Sequence, residues 1–279
     1  MKIDNKQQEI TIIKPSTGYR SLGLSEVWRF RELILVFAWR EISVLYKQAV
    51  IGIGWMLFQP MITVTIFSVI FGRLAGIPSD GVPYPVFALT GLLPWLYFAK
   101  SVSIGSNSLI SNKTILTKTY FPRLILPLSS ILPGLVDLAI GLCLLLVLLM
   151  FYGTAVSLQI FMLPALLAMT VLLAFGIAVT LAGLNAIYRG IGLVLPFVLQ
   201  VWMYATPIIY PVGFIPEKWQ WLIMLNPMTG IISGIRWSVL GVGVLNLQAL
   251  IITFVWIAVL LGVGIQLFKR LEAKFVDRL

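Results

Sequence analysis

Apolar residues in this chain come in long runs rather than in alternation. A helix needs about 20 predominantly apolar residues to cross a hydrocarbon core about 30 Å thick. Six stretches reach that length: 49–71, 86–109, 124–150, 160–187, 191–209 and 247–268. The fourth and fifth are separated only by Tyr188-Arg189-Gly190, which predicts a tight turn at one membrane face. Between the fifth and sixth, Pro216, Asn226-Pro227, Gly230 and Gly234 interrupt an apolar segment before either half reaches spanning length. The pattern predicts two short helices over 211–240 that enter the membrane and return. Such a corner is tolerable at membrane depth only against protein or a water-filled cavity.

Ahead of the first run, residues 24–47 carry apolar side chains at a 3–4 spacing: Leu24, Val27, Trp28, Leu33, Ile34, Phe37, Ala38, Val44 and Leu45. Arg29, Arg31, Glu32, Arg40, Glu41 and Lys47 fall between them. This predicts a single amphipathic helix lying in the interface plane. It serves as an anchor that sets the angle of the first span, as a platform for a partner or a lipid headgroup, or as both. The chain thus divides into a segment 1–47 and one six-span membrane domain, 48–279.

Composition supports an all-α polytopic membrane protein. Hydrophobic residues make up 59% of the 279 and charged ones 11%, against about 25% charged in a soluble domain. Charge distribution then orients the spans. Sixteen Lys and Arg fall on the side of the termini, in 1–47, in the loop 111–123, at Arg189 and in the tail 269–279. Three fall opposite (Arg73, Lys218, Arg236), and Lys100 lies within a span. Both termini are therefore expected in the cytoplasm. The net charge of +10 is accounted for by this bias and by anionic lipid, so no nucleic acid is expected. The first 23 residues hold no apolar h-region, and no cleavable signal peptide is expected.

Catalysis finds little support. The chain has no histidine, which removes histidine bases, triads and histidine metal ligands. Its one cysteine, Cys143, lies in an apolar run, and its ten carboxylates do not cluster. No G-x-x-x-x-G-K-[ST] run and no Gly-Lys pair occur, so the chain cannot cradle nucleotide phosphates in the P-loop manner. If ATP drives it, another polypeptide binds the ATP and Mg; no cofactor or metal is expected on this chain.

Two charges lie deep. Lys100 is about 15 Å from the cytoplasmic end of the second span and Asp137 about 20 Å into the third, at about 1.5 Å per residue. Unpaired, each costs about 2.5–3.5 kcal/mol on insertion scales, so both are expected to face the bundle interior or each other. Aromatic residues at 55, 95, 97, 152, 188, 210, 219, 221 and 237 fit an aromatic belt at headgroup level. Trp55, Phe58, Gln59, Trp202 and Tyr204 lie inside spans, away from such a belt, and are candidates for a channel lining that stacks on sugar rings. Gly52, Gly54, Gly176, Ala182 and Gly183 permit close helix approach. Pro60, Pro133, Pro164 and Pro196 are expected to bend their spans. The basic segment 111–123 is either a plain loop that fixes topology or a rigid element for a motor to push.

Four strings carry a resemblance: WREISVLYKQAVIGIGWMLFQP (39–60), LLPWLYF (92–98), SNKTILTKTYFPRLILP (111–127) and LNPMTGII (225–232). In order and spacing they resemble the permease subunits of ABC type-2 exporters of O-antigen, capsule and teichoic-acid chains. The polar extension 1–23 looks more like the O-antigen and teichoic-acid branch. Lys100 departs from the family pattern, which usually has a small or neutral residue there.

The resemblance implies a homodimer in the cytoplasmic (inner) membrane, with two cytoplasmic ABC ATPase subunits and a lipid-linked polysaccharide as substrate. It implies that Asn112, Lys113, Leu116, Lys118, Tyr120, Phe121 and Arg123 form the coupling element. Arg40, Tyr46, Lys47 and Gln48 would line a lateral gate for the lipid headgroup. Trp219, Trp221, Asn226, Pro227 and Arg236 would belong to an outer gate. Alternatives are a type-2 exporter of a drug or small lipid, and a motor-free scramblase or carrier.

Overall fold

Helices form over the apolar runs, and most of their ends are set by proline or glycine. The computed structural model describes residues 24–47 and 52–276, which are helical or in turns, with no strand among them. The first elements are α1 (Leu24–Arg29), α2 (Arg31–Lys47) and α3 (Gly52–Phe67), the last running into a π-helical turn at Ser68–Leu74. Then come α4 (Tyr84–Ser111), α5 (Lys113–Lys118), α6 (Ile125–Ile131) and α7 (Pro133–Phe151). The chain finishes with α8 (Leu163–Ile187), α9 (Gly190–Tyr204), α10 (Glu217–Met224), α11 (Pro227–Leu240) and α12 (Leu247–Val276).

Among the described residues, five helical stretches are long and apolar enough to cross a membrane: Met56–Leu74, Tyr84–Ser111, Ile125–Phe151, Leu158–Ile187 and Leu247–Glu272. The expected span at 191–209 comes out shorter. Its helix α9 has 15 residues, about 22 Å at 1.5 Å per residue. Pro207 explains the early end, since it offers no N–H and disfavours helical backbone in the residue before it.

Two further expectations change. The amphipathic segment is not one helix: Phe30 interrupts it as a turn between α1 and α2. Pro133 follows a bend at Leu132 that divides its span into α6 and α7, as expected, whereas Pro164 falls in the first turn of α8, where a missing N–H costs nothing. Pro60 and Pro196 sit inside α3 and α9, which continue through them.

α4 is the centre of the bundle. Its apolar stretch is 72% buried, against 28% or less in the other four. It packs most extensively on α8, which in turn packs on α12. Small residues make the α8–α12 approach possible. A Cβ at Gly176 would lie 2.9 Å from Leu260 Cβ, closer than real contacts allow, and Ala182 beside it is fully buried. Gly54, by contrast, has open space around it and serves no close packing within the chain. Trp95 and Tyr97 are also corrected: each is 2% exposed in the core around α4, because they fall mid-helix and not at a span end.

Candidate functional site

Two regions concentrate the polar chemistry. The first is the platform made by α2, α5 and α6. Val27 and Phe37 are buried there together with Phe121, Leu124, Ile125 and Leu126. The Phe37 and Phe121 rings lie 5.6 Å apart. Arg40 stacks over Phe37, 5.3 Å from its centroid, and donates from Nη2 to Asn112 Oδ1 at 2.5 Å. Asn112 is also bound within its own chain segment, Nδ2 donating to the Ser108 carbonyl at 2.9 Å. The far end of the segment is tied down by Arg123, 3.4 Å from the Glu272 carboxylate on α12. Ser130 Oγ donates to Glu41 Oε1 at 3.2 Å. Burial raises the Glu41 carboxyl above its usual range, against the opposing effects of that hydrogen bond and of Arg40.

These contacts divide the segment 112–123 in two. Asn112, Phe121 and Arg123 face the chain itself and brace the segment, and Leu116 is half-buried. Lys113, Thr114, Thr117, Lys118 and Thr119 are exposed, and Tyr120 is 74% exposed. A docking partner therefore has these six side chains to grip. Phe121 is only 5% exposed and braces the segment from within. On the other side of α2, Leu35, Val36 and Trp39 are exposed, as is Trp28 of α1. The platform thus has one apolar face docked on protein and another turned outward, a pattern suited to lying on lipid.

The second region is the corner between α9 and α12. Asn226 is the N-cap of α11, accepting from Met228 N at 3.0 Å. The same Oδ1 accepts from Trp202 Nε1 at 3.0 Å, and its Nδ2 donates to Thr206 Oγ1 at 2.8 Å. Thr253 Oγ1 donates to the Pro227 carbonyl at 2.8 Å, and Trp256 Nε1 to that of Leu225 at 3.0 Å. The turn is thereby stitched to the end of α9 and to α12. Trp202 is therefore a packing residue: its ring meets Trp95 and Phe98 edge-on at 6.0 and 5.2 Å. Its remaining surface is half-exposed. Phe58, Gln59 and Tyr204 are exposed on α3 and α9. Trp219 and Trp221 are 51% and 60% exposed on α10.

Arg236 differs most from its expected place. Counted as an outer-face cation, it is 4% exposed inside the bundle. Nη1 donates to the Pro207 carbonyl at 2.6 Å and Nη2 to the Ile208 carbonyl at 2.5 Å. Its guanidinium lies 3.6 Å from the Phe87 ring centroid. It supplies donors to two carbonyls of the non-helical turn that follows α9, which a buried backbone needs. Gly91 leaves the room: a Cβ there would lie 2.8 Å from Nη2. Nothing in the linear sequence signals this burial, whereas Asn-Pro ahead of an apolar run does signal the α11 cap.

Lys100 and Asp137 form an ion pair between α4 and α7. Gln48 and the side chains of Tyr46, Lys47 and Trp55 lie outside the described residues. No group of three or more His, Cys, Asp or Glu that could hold a metal occurs among the described residues.

Taken together, fold and platform define a multi-pass membrane protein that offers a braced, solvent-facing segment between two of its spans. Residues 32–240 match the ABC-2 type transporter family, and the chain belongs to that family. It is 30% identical over 247 residues to the O-antigen export system permease protein RfbA of Klebsiella pneumoniae, covering 88% of this chain and 94% of that one. The protein of the same name from Myxococcus xanthus is 27% identical over 211 residues, 75% of this chain and 80% of its own. The inner membrane transport permease YadH of Escherichia coli K12 is 29% identical over 198 residues, 67% and 76% of the two chains.

Proposed function

We propose that this chain is the membrane permease of an ABC transporter that exports a lipid-linked polysaccharide of the O-antigen or teichoic-acid kind. The observation that carries the reading is the similarity to the O-antigen export permease over 94% of that protein's length. In this reading two copies of the chain pair in the inner membrane, with both termini in the cytoplasm. Two ABC ATPase subunits, holding ATP and Mg, dock below. Residues 191–209 act as a sixth crossing, completed beyond α9 by the non-helical turn.

Motion enters through Lys113, Thr117, Lys118 and Tyr120. The bracing contacts of Asn112, Phe121 and Arg123 support its transfer to α2, α4 and α12, since a segment tied at both ends cannot move alone. Arg40, Tyr46, Lys47 and Gln48 receive the lipid headgroup where the chain enters the membrane. The path runs past Trp55, Phe58, Gln59 and Tyr204, with the α10–α11 corner as the outer gate. Apolar sugar faces slide over aromatic rings without fixed hydrogen bonds, which suits a long polymer.

The test is co-purification with the ATPase encoded beside the gene, followed by ATP hydrolysis. Lys113→Glu with Tyr120→Asp is expected to break the complex while leaving the permease folded. Phe121→Asp is expected to unfold the platform itself. A complex indifferent to the surface pair would move the coupling surface elsewhere. If no ATPase binds at all, a motor-free scramblase or carrier replaces the reading. The similarity to a transport permease whose name specifies no polymer favours a second reading, export of a small amphiphile. Accumulation of undecorated polymer in the cytoplasm of a deletion strain would argue against it.

A further inference from the structure

A groove of about 580 Å³ opens between α3 with its π-helical turn, α4 and α7, within the range of about 300–1,000 Å³ typical of ligand sites. Its lining is zoned. Met61, Val64, Leu89, Leu144 and Leu148 form one end, and Arg73, Tyr84 and Tyr152 the other. Arg73, Tyr84 and Tyr152 all sit where their helices meet the same membrane face: the π-helical turn ends at Leu74, α4 starts at Tyr84 and α7 ends at Phe151. The apolar residues lie one to three helical turns deeper along the same helices.

The π-helical turn shapes the polar end. Ala75 N bonds the Ile70 carbonyl at 2.9 Å, five residues back, which widens the helix; such turns gather at functional sites. Gly72 within it admits the Tyr84 ring, since a Cβ there would come within 2.9 Å of Tyr84 Cγ. The Tyr84 hydroxyl is engaged, donating to the Ile209 carbonyl at 2.7 Å. Arg73 is exposed and has no ion pair among the described residues.

We propose that this groove binds one anionic phospholipid of the surrounding bilayer, its phosphate on Arg73 and one acyl chain along the apolar end. Charge selects the occupant: a guanidinium at headgroup level binds a phosphate through charge-assisted hydrogen bonds. The apolar end, lined by Met61, Val64, Leu144 and Leu148, takes the acyl chain. The site needs only a bilayer around α3, α4 and α7, so its test stands apart from export.

The full-length chain in its purified assembly is examined by native mass spectrometry, with phosphatidylglycerol and phosphatidylcholine supplied as separate titrants. Wild type is expected to retain one phosphatidylglycerol per chain about tenfold more strongly than phosphatidylcholine, the scale of one charge-assisted contact. Arg73→Gln should bring the two lipids level, and Arg73→Lys should keep most of the preference. Leu144→Trp, filling the apolar end, should weaken retention of both. Equal retention of the two lipids by wild type would overturn the proposal, as would an unchanged preference in Arg73→Gln. Retention untouched by Leu144→Trp would also overturn it, since the phosphate would then be held without the groove. Displacement by a polyprenyl phosphate at equal ratio would reassign the site to another lipid.

Discussion

Arg236 shows how one side chain can hold a non-helical turn inside a helical bundle. The Pro207 and Ile208 carbonyls, in the turn after α9, cannot find water within a bilayer, and each unsatisfied group there costs several kcal/mol. The guanidinium supplies the missing donors at 2.6 and 2.5 Å. Arg236→Met is therefore expected to destabilise the chain by about 2–3 kcal/mol, the range for lost hydrogen bonds to a charged group. Gly91→Ala should have a similar but smaller effect, because its Cβ would displace Nη2. Thermal unfolding in detergent reads both. Lys100 and Asp137 call for a different pattern. Lys100→Met alone leaves a carboxylate without its cation in the membrane, at about 2.5–3.5 kcal/mol. Adding Asp137→Asn should restore most of that loss in a double-mutant cycle. A cycle with no coupling would show that the pair contributes nothing. The depth of both charges was legible from hydropathy and spacing. The burial of Arg236 was not, because it depends on α11 folding back beside α4, a long-range event with no local pattern.

Between elements, the docking of α2 on α6 carries a titratable contact. Burial raises the Glu41 carboxyl above its ordinary value of 4.5. Between that value and the raised one the docked state holds more protons than the undocked state, so docking weakens as pH rises through the window. A spin label at exposed Leu35 should become more mobile across that rise, and Glu41→Gln should flatten the response. A label equally mobile at every pH would mean that Glu41 does not gate the docking. The amphipathic pattern placed Phe37 and Ala38 correctly in the buried face, but Val44, also expected there, is 60% exposed. It missed the break at Phe30, since a turn between two helical stretches leaves the spacing almost unchanged. The split of 112–123 into bracing and exposed residues was likewise invisible, because Phe121 and Tyr120 differ only in what lies behind them.

For the whole molecule, the five long helices and the α10–α11 corner follow from run length, proline and glycine. The shortened α9 was missed because its apolar run continues past Pro207, so run length alone overrode the proline that ends the helix. The order of packing around α4 is also a tertiary fact. α4 is the least apolar of the five spanning helices and by far the most enclosed. A segment of that kind gains less from lipid than its neighbours do when it leaves the translocon. Its insertion is then a cooperative act, completed when α8 arrives to cover it. Synthesis of this chain accordingly carries a vulnerable interval between α4 and α8, in which membrane chaperones or quality-control proteases would find it. Truncations ending before α8 should be degraded much faster than the full chain, which pulse-chase labelling would measure.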